Sequence, residues 1–328
     1  MDNLKGIGSR TILIGGTGRS GTNILKEIIG NHSEVCLLPF EYRFIIDPSG
    51  IVDFYNSIRS SWSPYFSDHK IKELENFLKN LSHRNYIKYI ISKIIKIIDK
   101  KGLLISPERY TEWELSKWIP DYDKYVDELI ENLKDFKYRG IWPGTRSFSV
   151  KNRIFFTDFR KDFKEILSEF VLKCIKSILK NENKTYYVED NTWNILYIKE
   201  LSELIPKNKF IHVIRDPRDV VSSMINQRWC PSSLREAIDF YASIMDRYIE
   251  SKNKLKNNKI VEVKLENIVS ETESEIKNIF DKLNIEFDTK LLDVDLSSSH
   301  SGRWKKEIKK KTFLNERLNK YLTYFNYN

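Results

Sequence analysis

A short apolar run, Thr11-Ile-Leu-Ile-Gly15, passes straight into the turn Gly15-Gly16-Thr17-Gly18-Arg19-Ser20-Gly21-Thr22. After the turn, Asn23 to Ile29 places Ile24, Leu25, Ile28 and Ile29 on one helical face. Strand, glycine-rich turn and helix in that order aim backbone N–H groups and a positive helix end at an anion. Gly15, Gly16, Gly18 and Gly21 let the backbone approach such an anion without a Cβ in the way. Ser20, Thr22 and Asn23 add side-chain donors, and Arg19 adds a forked positive charge. The segment predicts a phosphate or sulfate site; a tight turn without a ligand is the plain alternative.

The loop departs from the commoner nucleotide signatures. A nucleoside-triphosphate loop reads GxxxxGK[ST], with a lysine for the terminal phosphates. Here Thr22 and Asn23 follow Gly21, so that lysine is missing. A dinucleotide GxGxxG fits Gly16 to Gly21 only formally, and Glu41 would have to serve as its ribose-binding acid.

Beyond the loop, Val35-Cys-Leu-Leu38 reads as a second buried strand stopped by Pro39. From about Ile51 to Asn183 the pattern changes to aromatic-rich amphipathic helices. One stripe runs from Ile87 to Ile98, a second from Tyr122 to Phe136, and a third from Phe159 to Ile178. The segment Tyr86 to Lys100 is both basic and apolar, which suits a membrane surface, but packing on the core with snorkelling lysines is the simpler expectation. Lys137 to Arg153 reads as a long loop.

An α/β rhythm then resumes, with strands expected at Thr185–Glu189, Lys209–Ile214 and Lys259–Lys264. Helices are expected at Trp193–Leu204, Pro217–Arg228, about Ser232–Lys254 and Glu271–Leu283. Such alternation implies a parallel sheet with right-handed crossovers. The expectation is one α/β domain over residues 1–328, with a helical, aromatic-rich insertion at about 51–184.

The second of these strands ends in a second anchor. Ile214 runs into Arg215-Asp216-Pro217-Arg218-Asp219-Val220-Val221-Ser222-Ser223. Arg215 stands at the carboxyl end of a strand, where open α/β sheets bind ligands. Asp216 suits an N-cap and Pro217 a first helical turn. Ser223 lies two turns into that helix, close enough to share an anion with Arg215. Asp219 is expected to pair with a neighbouring arginine.

Gly16 to Asn23 and Ile214 to Ser223 together resemble the two 3′-phosphoadenosine 5′-phosphosulfate (PAPS) motifs of sulfotransferases. In that family the first motif cradles the 5′-phosphosulfate. The second holds the 3′-phosphate with an arginine and a serine eight residues later, the spacing from Arg215 to Ser223. Glu41-Tyr-Arg-Phe resembles the Glu-containing segment of the carbohydrate and tyrosyl-protein branches. Glu189-Asp-Asn-Thr192 resembles the Glu-Lys-Thr-Pro strand end, with Asn191 where lysine is common and Trp193 where proline is common. Val263-Lys-Leu-Glu266 resembles a Tyr-Glu-Asp-Leu strand end, and Ser301-Gly-Arg-Trp-Lys305 the Gly-Arg-Trp loop that closes over the nucleotide.

The resemblance implies a P-loop-type fold, PAPS as sulfuryl donor, 3′,5′-adenosine bisphosphate (PAP) as product, and an acceptor hydroxyl, with carbohydrate favoured. It implies nucleotide contacts from Gly18, Arg19, Ser20, Gly21, Thr22, Asn23, Arg215, Ser223, Arg303 and Trp304. Arg19 would neutralise the bridging oxygen as charge develops there. Glu41 is the expected general base, against the plainer reading of a surface glutamate paired with Arg43. His32 and His212 compete for that role; His212 is expected to be a core histidine. Arg43 and the insertion aromatics Trp62, Tyr65, Trp113, Trp118 and Trp142 are weaker candidates for acceptor contact.

Composition narrows the alternatives. The net charge of +9 suits an anionic ligand without choosing one. Three spaced cysteines give neither a disulfide framework nor a thiolate metal site, and five scattered histidines give no i, i+4 pair. No metal and no nucleic acid are expected. The absence of an apolar leader or a membrane-length run predicts a cytoplasmic protein. The alternatives that stay open are a P-loop small-molecule or nucleotide kinase and a non-catalytic nucleotide-binding protein.

Overall fold

Runs of Ile, Val and Tyr become five strands: β1 (Thr11–Gly15), β2 (Val35–Leu37), β5 (Tyr186–Asp190), β6 (Lys209–Ile214) and β7 (Ile260–Lys264). All pair in parallel, in the order β2-β5-β1-β6-β7. The computed structural model describes residues 4–41, 43–84, 86–98, 114–140, 142, 153–255, 260–294, 296 and 301–327. The chain forms two compact units, Lys5–Tyr42 with Lys184–Asn328, and Met1–Leu4 with Arg43–Asn183.

The first of these is an α/β unit. Every residue of β1 is buried, as expected of a central parallel strand covered on both faces. Helix α1 (Thr22–Gly30) sets Leu25, Ile28 and Ile29 against Ile12, Ile14, Val188, Ile211 and Val213. Loss of one such buried side chain to alanine costs about 2–5 kcal/mol. The chain leaves β1 towards β2 on one side of the sheet and leaves β6 towards β7 on the other. The carboxyl ends of β1 and β6 therefore flank a switch point, where open α/β sheets bind ligands.

The strands fall within a residue of the expected positions, although Lys259 and Trp113 lie outside the described residues. The helices differ more. The expected helix Trp193–Leu204 is a 3₁₀ turn (Thr192–Leu196) followed by α7 (Ile198–Leu204). The Asn191 side chain accepts from Trp193 N–H and starts that turn. Helix α8 (Pro217–Met224) stops short of Arg228. After it come α9 (Leu234–Asn253), α10 (Leu265–Ser270), α11 (Thr272–Leu283), the short α12 (Trp304–Glu307) and α13 (Lys311–Tyr324).

The helical unit contains α2 (Ile51–Ser60), α3 (Pro64–Ser82), α4 (Tyr86–Ile98), α5 (Tyr122–Leu133) and α6 (Phe163–Asn181). Part of the expected loop is instead an antiparallel hairpin of β3 (Phe136–Arg139) and β4 (Arg153–Phe156). Buried Asp68 of α3 holds it, accepting from Phe155 N–H at 2.8 Å and Lys72 Nζ at 2.8 Å. Phe136 thus belongs to a strand rather than to the α5 stripe. Phe159 precedes α6 and is exposed, so it leaves the third stripe. The expected packing of Ile87 to Ile98 on the core also fails, because most of those isoleucines face outward.

Candidate functional site

The turn after β1 requires unusual backbone. Gly21, the N-cap of α1, has φ of 100°, and a Cβ there would meet Leu265 Cδ1 at 2.6 Å. Arg19 adopts φ of 62°, a left-handed conformation that costs a residue with a Cβ about 1–3 kcal/mol. Two contacts from the second anchor hold it there. Arg215 Nη1 donates to the Arg19 carbonyl at 3.0 Å, and Arg19 Nε donates to Ser223 Oγ at 2.9 Å.

Arg19, Gly21, Thr22, Asn23, Arg215, Ser223 and Arg303 line one cavity of about 380 Å³, with Asp219, Asn226, Gln227, Leu265 and Glu307 among their neighbours. Three guanidinium groups and the N-terminus of a nine-residue helix therefore meet at one place. The first N–H groups of a helix have no intrahelical acceptor, so they add donors to this positive field. Ser20 lies beneath the turn; its Oγ is buried and lacks a hydrogen-bond partner. These features fit an anion carrying several negative oxygens.

The C-terminal Gly302-Arg303-Trp304 loop reaches the cavity because α8 holds it. Asp219 accepts from Gly302 N–H at 2.6 Å and from Trp304 N–H at 3.1 Å. Its partners are two backbone amides, so the expected pairing with an arginine is corrected. Arg218 makes the paired contact with Asp216 instead, at 2.7 Å, and covers the buried Trp304 ring at 4.5 Å. Asp216 also caps α8 by accepting from Arg218 N–H at 2.9 Å. Arg303 faces the cavity while Trp304 is held below it.

Residues 11–289 match the model of the Sulfotransferase family. The chain belongs to the sulfotransferase family. No curated protein sequence matches it. Its solved structural neighbours include a sulfotransferase from Mycobacterium avium, at 12% identity and TM-score 0.47, covering 96% of this chain and 76% of that one. Another is the sulfotransferase domain of the Synechococcus PCC 7002 olefin synthase, at 12% identity and TM-score 0.43, covering 94% and 86%. A sulfotransferase from Mycobacterium tuberculosis stands at 11% identity and TM-score 0.44, covering 94% and 76%.

Several other features of this sulfotransferase bear on its chemistry. Glu41 follows β2 in the α/β unit and is partly exposed. Its negative charge acts on Asp190, at the carboxyl end of β5. Burial first, and Glu41 in part, push the Asp190 carboxyl up to about 6, against the pull of Lys26 and a hydrogen bond from Thr22. The sequence marks Asp190 only as part of the Glu189–Thr192 strand end, with no sign that its carboxyl is perturbed. Asn226 and Gln227 were missed, although they stand three and four residues after Ser223, the spacing of one helical face.

His32 and His212 are otherwise engaged. His32 Nε2 lies 3.0 Å from the Glu286 carbonyl, and its Nδ1 accepts from Glu34 N–H, which fixes the tautomer and leaves no free basic nitrogen. His212 is buried in β6 with its ring 4.1 Å from that of Tyr248, and burial lowers its pKa below the ordinary histidine value. Arg43, in the helical unit, donates from Nε to Asp47 Oδ1 at 3.1 Å. In the same unit Trp62 Nε1 donates to the Thr157 carbonyl and Trp142 Nε1 to Asp68. Among the described residues, no three His, Cys, Asp or Glu side chains gather as a metal site needs, and no helix is long and apolar enough to cross a membrane.

Proposed function

We propose that this sulfotransferase takes PAPS as its donor and moves the sulfuryl group to an acceptor hydroxyl, with carbohydrate hydroxyls the first class to test. One observation carries the reading: Arg19, Arg215 and Ser223, from two distant motifs, are bonded to one another on the wall of one cavity that Arg303 also lines. The acceptor oxygen bonds to sulfur as the sulfur–oxygen bond to the 5′-phosphate breaks, its electron pair leaving with PAP and the hydroxyl proton passing to a base.

Each residue then has a task. The amides of Gly21, Thr22 and Asn23 and the hydroxyl of Ser20 bind the phosphosulfate, with Gly18 keeping the turn open. Arg19 neutralises charge on the leaving oxygen. Arg215 and Ser223 hold the 3′-phosphate, and Arg303 closes over the nucleotide from a loop braced by Trp304. Glu41 removes the acceptor proton. Asp190, at the carboxyl end of β5, feels the Glu41 charge, which supports placing Glu41 beside the strand ends where the acceptor would approach. Arg43 is the weakest member, a candidate acceptor contact. The carbohydrate preference is supported by the likeness of the Glu41 segment and the Gly302-Arg303-Trp304 loop to one branch of the family.

Calorimetry of PAP against ATP, with and without magnesium, on wild type and Arg215→Ala, tests the donor. The expected result is tight PAP binding, indifferent to magnesium and lost in the variant. Preference for Mg·ATP would sink the donor assignment. Glu41→Gln is expected to keep PAP affinity and lose transfer of labelled sulfate from PAPS to a panel of glycans and other alcohols. Undiminished transfer by that variant would remove Glu41 as the base.

A further inference from the structure

Helix α4 is built with its apolar side outward. Ile87, Ile90, Ile91, Ile94, Ile97 and Ile98 are each between 50% and 77% exposed. Ser92, on the opposite side, is 2% exposed and donates to the Tyr89 carbonyl at 2.8 Å. Half-buried Tyr89 lies beneath the guanidinium of Arg84 at 4.8 Å and the ammonium of Lys93 at 5.1 Å. The helix therefore rests on its small and polar side and leaves an isoleucine ridge exposed. A contiguous apolar surface of this kind marks a contact, because each large aliphatic left in water forgoes about 1.5–3 kcal/mol.

We propose that α4 docks this unit onto an anionic lipid surface, lying flat with its isoleucines among the upper acyl chains. Charge selects lipid over the other occupants. Residues 86–98 carry Lys88, Lys93 and Lys96 and no acidic residue. At 100° per residue, Lys88 and Lys93 fall at the two borders of the apolar arc, and both are exposed. There their stems lie along the apolar surface, and on docking their ammonium groups would turn to headgroup phosphates, Lys93 leaving the Tyr89 ring. A second copy would set these lysine borders against each other, in a chain already at +9. Three lysines among its isoleucines rule out burial of Tyr86–Ile98 across a hydrocarbon core, so the helix lies in the interface. This proposal is independent of the donor and acceptor assignments.

The test is co-sedimentation of the full chain with vesicles of phosphatidylcholine alone and of phosphatidylcholine with phosphatidylglycerol. Wild type is expected to bind the anionic vesicles, weakening with added salt, and to leave the neutral ones largely bare. Ile87→Gln/Ile91→Gln/Ile94→Gln alters only exposed positions, so it should melt like wild type and bind at least ~10-fold more weakly. Lys88→Glu/Lys93→Glu should weaken binding by about 30-fold or more, at roughly 1 kcal/mol per lysine. Equal recovery in the supernatant with and without anionic vesicles would overturn the proposal. So would vesicle binding that both variants retain, or light scattering that finds a dimer which the glutamine variant turns into monomer.

Discussion

Arg19 Nε donates to Ser223 Oγ at 2.9 Å, joining residues 204 positions apart in the chain. Ser223→Ala removes the acceptor that orients the guanidinium and one contact to the nucleotide. Hydrogen bonds to charged groups are worth about 1.5–3 kcal/mol, so PAP affinity should fall by roughly 10- to 100-fold. Calorimetry reads the loss. A variant that binds PAP as tightly as wild type would mean that the link does not organise the site.

Asp219 is the brace between α8 and the C-terminal loop. Asn in its place offers one acceptor oxygen for two amides. Asp219→Asn should cost about 1–3 kcal/mol of stability, seen as a lower melting temperature. Limited trypsinolysis should also cut faster after Arg303, which the loosened loop exposes, and PAP should slow that cut.

Gly21→Ala tests the turn itself. The substitution places a methyl group 2.6 Å from Leu265 Cδ1 in a backbone of φ 100°. Left-handed strain alone costs about 1–2 kcal/mol, and the clash adds to it. Chemical denaturation should show a shifted midpoint with an unchanged slope, together with weaker PAP binding.

Asp190 gives the pH dependence its sign. Its carboxyl is raised from 3.8 to about 6 in the folded chain, chiefly by burial. The folded state therefore holds this proton more tightly than the unfolded state does. The resulting stability is full below about pH 4 and is lost as pH rises through about 6. The amount is about 3 kcal/mol. Asp190→Asn keeps an acceptor for Thr22 and carries no charge. Its melting temperature should gain on wild type between pH 4 and 7 and hold that gain above. A constant difference across that range would show that Asp190 does not titrate there.

The strands and the two segments that meet at the cavity were legible in the sequence because each is local. A short β-rich run bounded by glycines, such as Thr11–Gly15, reads as a buried strand, and the glycines and Arg215-Asp216-Pro217 mark strand ends by their backbone demands. What was not legible depended on partners far along the chain. Asp219 looks like an arginine partner until residues 302–304 fold onto it. Asp190 becomes a perturbed acid only when β5 lies beside β1 and Thr22. The α4 stripe is amphipathic in the sequence, but periodicity finds a face without saying which way it turns. The β3–β4 hairpin was hidden because its two strands flank a segment rich in turn-forming residues.

The position of β1 in the sheet also sets an order of assembly during synthesis. It leaves the ribosome well before both its neighbours, β5 and β6, which lie between residues 186 and 214. At roughly 5–20 residues per second, the wait is on the order of 10–40 s. Through that interval Thr11–Gly15 has two unpaired edges, with only α1 available to cover it, and it is a segment that a chaperone would shield.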